Sequence, residues 1–343
     1  MPARPRIAVF ATGGTIASVR GAGSAASPAL TAEQLIAAVP QLAAVADIDA
    51  VRFRQVASSE LTVADMLALA ERIGAAVDGG VSGAVVTQGT NTLEETSFLL
   101  DLIWDRPEPI VLTGAMRNPE LPGADGPANL FAAVSVAASP AAKGLGAVVV
   151  FNDEIHLPAY VRKSHTMSTA TFRSQLTGPI GWIAENRVRI ALRPAARNYI
   201  AIGGMPDSIP AVALVKVVLG DDGRMLRAVE SLGYRGLIVE ATGGGHVPSA
   251  MAEPLAALAA KMPVVLSSRT GAGELLRNTY GFTGSETDLL RRGLVHAGIL
   301  DGPKARLLLT LLLIAGADGG TISEAFAAVG VPDSRPPFRL GAP

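Results

Sequence analysis

The sequence predicts an α/β protein with doubly wound domains, and three observations support this fold class. Short apolar runs without polar alternation recur along the chain, as is typical of strands that are covered on both faces in a parallel sheet. Alanine-rich or amphipathic stretches with helical spacing lie between these runs, and strand–helix alternation favours a doubly wound sheet. The chain has 343 residues, which is too long for one ordinary core and fits two domains.

The apolar runs predict the strands, and periodicity with capping residues predicts the helices. The candidate strands are residues 7–11, 51–56, 83–87, 110–113, 147–151, 211–218, 236–240 and 264–267. Thr31 and Gln34 form a capping pair for one helix, and Thr62 can cap a second helix that runs to Val77. Further helices are predicted at 92–104, 303–314 and 323–329, and the first of these ends before Pro107.

A linker is predicted at residues 193–210, where prolines and glycines accumulate and the helical and strand periodicities are weak. The two domains are therefore predicted at 1–192 and 211–343. No internal repeat with the period of a solenoid interrupts this division.

The composition excludes several classes of protein. The net charge is −1, so no basic surplus exists that would attract nucleic acid. Cysteine is absent, and the four histidines (His156, His165, His246 and His296) show no metal-ligand spacing, so neither a metal nor another cofactor is expected. No apolar stretch approaches the roughly 20 residues of a membrane-spanning helix, and the apolar start at 7–11 is too short for a signal peptide. We expect a cytoplasmic protein without membrane contact.

Loops rich in glycine, hydroxyl and amide groups follow several of the predicted strands. They comprise residues 12–17, 88–92, 114–117 and 152–154, and Lys163 comes shortly after the last of them. Ligands bind beyond the carboxyl ends of the strands in an open parallel sheet, and glycines there present backbone N–H donors. One such loop alone is more often an ordinary turn or helix cap. Their recurrence at successive strand ends indicates a ligand site.

The signatures of other common catalytic sites are missing from the sequence. No GxxxxGK(S/T) phosphate loop, GxSxG elbow or HExxH zinc motif occurs. Gly243-Gly244-Gly245 follows a predicted strand, but Pro248 stands where a dinucleotide-binding motif needs its last glycine. A hydroxyl nucleophile with a lysine as base remains, and such a lysine needs a pKa that burial has lowered.

Two longer motifs carry a family resemblance. Residues 12–17 (Thr-Gly-Gly-Thr-Ile-Ala) and 87–96 (Thr-Gln-Gly-Thr-Asn-Thr-Leu-Glu-Glu-Thr) resemble the two signatures of the bacterial-type L-asparaginases. The second signature is usually T-(H/Q)-G-T-D-T-x-E-E-T. Shorter matches follow in the family's order at 113–117, 125–130, 151–153, 163–166, 243–248, 267–269 and 304–306. Two long signatures in register are far more specific than any single glycine-rich loop.

The resemblance implies roles for the residues at matching positions. Thr15 is the expected nucleophile, and Thr90 and Lys163 are the expected second hydroxyl and base. Ser58 is expected to hold the substrate α-carboxylate, and Glu286 to be lent by a neighbouring subunit. Backbone N–H groups of residues 89–90 are expected to stabilise the oxyanion. The full set of predicted catalytic and substrate-binding residues is Thr15, Ser58, Ser59, Gly89, Thr90, Asn91, Ala115, Lys163, His246 and Glu286.

The resemblance also implies an activity, an assembly and a more detailed fold. The activity is that of an L-asparaginase without a cofactor, which forms a threonine acyl-enzyme and releases ammonia and then aspartate; L-glutamine is a second candidate substrate. The assembly is a homotetramer or homodimer with active sites at the dimer interface. The fold is a larger N-terminal domain with a mixed, mostly parallel sheet and a smaller, flavodoxin-like C-terminal domain.

The chain departs from the family pattern in its lid segment and at Asn91, and more mildly at Ala241, where the family usually has glycine. The segment 18–30 lacks the tyrosine that the family usually places in its mobile lid. Asn91 stands where the family has an aspartate for the substrate α-ammonium, and losing such a charge-assisted bond costs about 1.5–3 kcal/mol. Three interpretations of Asn91 are open: a weaker asparaginase in which Asp153 or Glu60 compensates, an amidase for substrates without a free α-ammonium, or an introduced change that traps ligand. A homologue that binds aspartate or asparagine without turnover is a further alternative.

Overall fold

The chain forms two compact units, the first ending at Ala195 and the second beginning at Ala196. The structure is a computed structural model that describes residues 4–20, 26–28, 30–330 and 336–341. The predicted division at 1–192, 193–210 and 211–343 stays a prediction. The stretch predicted as a linker contains a two-residue strand, Tyr199–Ile200.

A mixed sheet forms the centre of the first unit. In chain order the unit contains β1 (Arg6–Gly13), β2 (Ser18–Arg20), β3 (Ala26–Pro28), α1 (Ala32–Ala37), β4 (Asp47–Val56), α2 (Val63–Asp78), β5 (Gly83–Thr87), α3 (Leu93–Ile103), β6 (Ile110–Thr113), α4 (Gly126–Ala138), β7 (Ala147–Phe151), β8 (Glu154–His156), β9 (Val161–Lys163), β10 (Phe172–Ser174), β11 (Gly181–Ala184) and β12 (Arg187–Ile190). The eight-stranded sheet has the order β12-β11-β8-β7-β6-β5-β1-β4. Its strands β4, β1, β5, β6 and β7 run parallel, and β8, β11 and β12 continue it antiparallel. The predicted mixed, mostly parallel sheet is confirmed.

Burial explains which strands the apolar runs could predict. Every residue of β5, β6 and β7 is buried, so these strands coincide with continuous apolar runs. β4 lies at the sheet edge and is mostly half-buried, so polar and apolar residues alternate along it and the prediction at 51–56 covers only its second half. The short strands β8, β11 and β12 carry exposed or half-exposed residues and give no apolar run.

The capping residues mark the helix starts in the first unit correctly. Thr31 accepts the N–H of Gln34, whose side chain in turn accepts the N–H of Thr31, and Thr62 forms the same reciprocal pair with Asp65. Among the α-helices described in the first unit, α4 is the one that the sequence analysis does not predict. Most of its residues are buried, so it has no broad polar face and no amphipathic period.

The second unit contains a smaller parallel sheet. In chain order it comprises β13 (Tyr199–Ile200), β14 (Val212–Lys216), α5 (Leu226–Val229), β15 (Gly236–Ala241), α6 (Ala252–Ala259), β16 (Val264–Ser268), α7 (Glu286–Arg291), β17 (Val295–His296), α8 (Gly302–Ile314), α9 (Gly319–Val329) and β18 (Arg339–Leu340). Strands β14, β15, β16 and β17 pair in parallel in that order, as expected for a small doubly wound domain. Across both units, none of the helices that the structure describes combines the length and apolar character needed to cross a bilayer.

A buried histidine in β8 should make the protein sensitive to acid. His156 is 1% exposed, and its Nδ1 lies 3.0 Å from Ser174 Oγ. Its Nε2 has no hydrogen-bond partner among the residues described, and the nearest carboxylate oxygen, Glu154 Oε2, lies 3.4 Å away on a side chain that is 44% exposed. Burial lowers the pKa of His156 from 6.5 to about 4. The unfolded chain therefore binds the proton at a higher pH than the folded chain does, and protonation between these two values favours unfolding.

We expect the free energy of unfolding to fall by about 3 kcal/mol as the pH decreases from about 6.5 to about 4, because of this one group. The variant His156→Gln does not titrate in that range and should lose this part of the pH dependence, whatever its stability at pH 7. Denaturant titrations between pH 4 and pH 7 measure both curves. Parallel curves for the two proteins would contradict the assignment.

Candidate active site

Three glycine-containing loops meet at the carboxyl edge of the first unit's sheet, after β1, β5 and β6. Gly14 has a φ of 87°, and a Cβ added to it would lie 2.2 Å from the backbone nitrogen of Gly89. A Cβ added to Gly114 would lie 2.4 Å from the carbonyl oxygen of Gln88. Only glycine allows the backbones to approach this closely, so these positions hold the three loops in contact.

The two threonines with predicted catalytic roles each follow one of these glycines. Thr15 follows Gly14, begins a short 3-10 turn and is half-buried. Thr90 follows Gly89 and is 5% exposed. The contact between the two glycines therefore places Thr15 and Thr90 on touching loops at one edge of the sheet.

Lys163 reaches this edge from a different sheet. It ends β9, which pairs with β10 in a separate two-stranded sheet. Its Nζ atom donates to Thr90 Oγ1 at 2.8 Å and to Asn91 Oδ1 at 3.1 Å. Burial lowers the pKa of the Lys163 amine below its ordinary value, and the negative charge of Glu94 partly opposes this change. A lysine with a lowered pKa is better suited to act as a general base.

The contact with Lys163 fixes the orientation of the Asn91 amide. An ammonium group has only donors, so the oxygen of the amide must face it. The Nδ2 group of the exposed Asn91 side chain then lies on the other side of the amide and carries two N–H donors. This side of Asn91 matches a hydrogen-bond acceptor better than it matches an ammonium group.

Ser58 lies in the turn after β4, beside Gly89. A Cβ added to Gly89 would be 2.8 Å from Ser58 Oγ. Ser58 is 3% exposed, and its hydroxyl has no hydrogen-bond partner within the part of the chain that the structure describes. A buried polar group without a partner costs about 1–3 kcal/mol, so this hydroxyl is suited to bind a ligand atom. Of the other predicted contacts, Ser59 is exposed in the same turn, and Ala115 is buried near the start of α4.

Two polar residues at the start of α4 form hydrogen bonds with the backbone of the loops that follow β6 and β7. The Asp125 carboxylate accepts the N–H of Met116 at 3.0 and 3.1 Å. The Asn129 amide donates to the carbonyl oxygen of Gly114 at 3.0 Å and accepts the N–H of Asn152 at 3.0 Å. The sequence alone does not reveal this role, because an aspartate before Gly-Pro is also an ordinary helix start.

Glu286 and His246 both belong to the second unit. Glu286 is fully buried; its Oε1 accepts the N–H groups of Thr279 and Tyr280 at 2.7 Å each, and its Oε2 lies 3.0 Å from His246 Nε2. Burial alone would raise the pKa of Glu286, but the hydrogen bonds that it accepts, first from the Tyr280 backbone, lower it overall. The carboxylate is therefore ionised and firmly oriented. Its predicted contact with a substrate stays a prediction.

Only part of the predicted lid, the segment 18–30, is among the described residues. The segment 18–30 includes residues 21–25 and 29, which lie outside the described residues, and its remaining parts include β2 and β3, which pair antiparallel. Within the described ranges, no group of three or more His, Asp or Glu side chains is arranged to hold a metal ion.

Comparisons with known proteins match the chain over nearly its whole length. The family description "Asparaginase, N-terminal" matches residues 6–196, and "Glutaminase/Asparaginase C-terminal domain" matches residues 211–326. The L-asparaginase of Bacillus licheniformis is 36% identical over 317 residues, which cover 92% of this chain and 97% of that protein. A protein of Haemophilus influenzae named probable periplasmic L-asparaginase is 34% identical and covers 94% and 92% of the two chains.

A solved structure shows the same similarity in three dimensions. The probable cytoplasmic L-asparaginase from Campylobacter jejuni matches with a TM-score of 0.84 and 32% sequence identity, covering 94% of this chain and 99% of that chain. The same family is indicated by two family descriptions, by relatives aligned over most of their length and by a solved structure. The chain therefore belongs to the asparaginase family.

Proposed function

We propose that this protein is an L-asparaginase, which hydrolyses the side-chain amide of L-asparagine to L-aspartate and ammonia. The observation that carries the proposal is the Lys163 amine at 2.8 Å from the Thr90 hydroxyl, on a loop that touches the loop of Thr15. A hydroxyl nucleophile needs a base, and the Lys163–Thr90 pair on the neighbouring loop is the proposed base for Thr15. Relatives named L-asparaginase, at 36% and 34% identity, support the same substrate.

The proposed reaction begins when the Thr15 oxygen attacks the amide carbon. The hydroxyl loses its proton to a base as the C–O bond forms, and backbone N–H groups of residues 89–90 stabilise the tetrahedral oxyanion. The C–N bond then breaks, the nitrogen takes up a proton and leaves as ammonia, and an ester on Thr15 remains. The Thr90–Lys163 pair removes a proton from water, which attacks the ester, releases aspartate and restores the Thr15 hydroxyl.

Ammonia release tests this function directly. The purified protein should release one ammonia for each aspartate formed from L-asparagine, and L-glutamine is the second substrate to compare. No ammonia from either substrate would overturn the proposal. Tight binding of aspartate by isothermal titration, together with that negative result, would favour the homologue that binds without turnover.

The proposal includes an assembly with active sites at a dimer interface. Glu286 is the residue proposed to contribute to the site of a neighbouring subunit in a homodimer or homotetramer. Its carboxylate is fully buried within its own chain, so a direct contact with that substrate requires the residues that cover it to move. Sedimentation of the purified protein measures the assembly, and a fully active monomer would contradict it. A cytoplasmic location is part of the same proposal. One relative is named a cytoplasmic and another a periplasmic L-asparaginase, so cell fractionation is the test.

The orientation of Asn91 favours a second candidate function. An amidase of the same family that acts on substrates without a free α-ammonium would find donors at this position instead of a carboxylate. Succinamic acid is asparagine without the amino group and is therefore the substrate to compare. A higher kcat/KM for succinamic acid than for asparagine would establish this second candidate.

Replacing Asn91 by aspartate should raise kcat/KM for L-asparagine by about 10- to 150-fold, since it restores a charge-assisted bond worth about 1.5–3 kcal/mol. Succinamic acid has no ammonium to gain from the change and serves as the matched control substrate. Steady-state ammonia release measures kcat/KM for asparagine and for succinamic acid in the variant and in the wild type. If the ratio of the two kcat/KM values is the same in both proteins, another carboxylate, such as Asp153 or Glu60, holds the ammonium.

A further inference from the structure

Glu94 connects helix α3 directly to the backbone of Lys163. Its Oε2 atom accepts the Lys163 backbone N–H at 2.5 Å. Lys163 is the last residue of β9, whose sheet partner among the described strands is β10 and not a strand of the eight-stranded sheet. The bond to Glu94 therefore ties the lysine to the helix that begins just after Thr90 and Asn91.

Glu94 also supplies negative charge near the Lys163 amine. The two groups that accept hydrogen bonds from the amine, Thr90 Oγ1 and Asn91 Oδ1, are both neutral. The charge of Glu94 raises the pKa of Lys163 against the larger lowering effect of burial. Glu94 acts on Lys163 in two ways, through a hydrogen bond to its backbone and through the electrostatic effect of its charge on the amine.

We propose that Glu94 is a positioning residue for the reaction, which holds the backbone of Lys163 in place and provides the anionic charge that Asn91 does not. The proposal rests on the proposed amide hydrolysis. A merely structural role is the alternative, because an acidic residue in the first turn of a helix also stabilises the helix dipole. That role would affect the free energy of unfolding but would leave the ionisation of Lys163 unchanged.

Two substitutions separate the contributions of Glu94. Glu94→Gln keeps an acceptor for the Lys163 N–H and removes the charge, whereas Glu94→Ala removes both. The neighbouring Glu95→Gln removes a charge from the same helical turn and is the matched control. For Glu94→Gln we expect the acidic limb of the pH profile of kcat/KM to move to lower pH, with kcat on the plateau nearly unchanged. For Glu94→Ala we expect kcat to fall about a hundredfold at every pH, as for a displaced catalytic group, with little change in KM.

A second measurement does not depend on activity. The chain has five lysines, so NMR titration of ¹³C-methylated lysine amines can follow each of them, and the Lys163→Arg variant identifies the signal of Lys163. That signal should titrate at lower pH in Glu94→Gln than in the wild type or in Glu95→Gln. An unchanged titration together with full kcat in Glu94→Ala would overturn the proposal. If the wild type hydrolyses neither asparagine nor glutamine, the proposed function fails, and the NMR titration still tests the effect of Glu94 on Lys163.

Discussion

Replacing Thr15 by valine should lower kcat for L-asparagine by about four to six orders of magnitude, as does the removal of a nucleophile in other hydrolases. Valine has nearly the shape of threonine but no hydroxyl, so the change removes the attacking oxygen without opening a large cavity. Thr15 begins a turn that the glycine contact holds against the loop of Thr90, so the backbone should stay in place. The protein should still bind aspartate, which isothermal titration measures.

The control for this experiment is Thr15→Ser, which keeps the hydroxyl and should retain most of the activity. In wild-type protein quenched with acid during turnover, mass spectrometry should find the acyl group on the peptide that contains Thr15. A valine variant that keeps more than about a tenth of the wild-type kcat would exclude Thr15 as the nucleophile. An acyl group on a different peptide would exclude it equally.

Replacing Gly14 by alanine should abolish activity and lower the free energy of unfolding by more than about 3 kcal/mol. Gly14 has a φ of 87° and a ψ of −176°, a conformation that costs a residue with a Cβ about 1–3 kcal/mol. The larger effect is steric, since the new Cβ would lie 2.2 Å from the nitrogen and 2.3 Å from the Cα of Gly89. Backbone atoms cannot rotate away, so the loops of Thr15 and Thr90 must separate. Ammonia release and thermal unfolding measure the two effects.

Gly144→Ala is the matched control for the conformational part of this effect. Gly144 has a φ of 80°, and a Cβ added to it meets nothing within 4 Å. This variant should lose about 1–2 kcal/mol of stability and keep its kcat. If Gly14→Ala behaved in the same way, close packing of the two loops would not be what positions Thr15.

The sequence predicts the fold best where both faces of an element are covered by the same unit. β5, β6 and β7 are buried along their whole length, so their apolar runs coincide with the strands. The same burial hides α4, because a helix that is covered nearly all round has no polar face to reveal its period. The edge strand β4 and the antiparallel strands β8, β11 and β12 depend on pairing that the local residue pattern does not encode.

The candidate site could be predicted where the reactive groups are side chains in a motif. Thr90 and Lys163, 73 positions apart in the sequence, lie within hydrogen-bond distance. The motifs include Glu94 and Asp125, but the sequence analysis does not predict their roles, because they act on backbone groups elsewhere in the chain. Asp125 accepts the N–H of Met116 and Glu94 accepts the N–H of Lys163, and such pairings exist only once the tertiary structure has formed. The roles of all these residues stay predictions until the variants are measured.

Thr15 and Lys163, the two proposed reactive residues, are carried by sheets of different size. Thr15 follows β1, a strand with neighbours on both sides in the eight-stranded sheet, whereas Lys163 is carried by a pair of three-residue strands. Local opening requires the least free energy where few backbone bonds must break together. Loss of activity therefore reports on the small β9–β10 sheet, whereas a thermal unfolding curve reports on the eight-stranded sheet. We therefore expect mild denaturation to displace Lys163, the proposed proton acceptor, before the eight-stranded sheet unfolds.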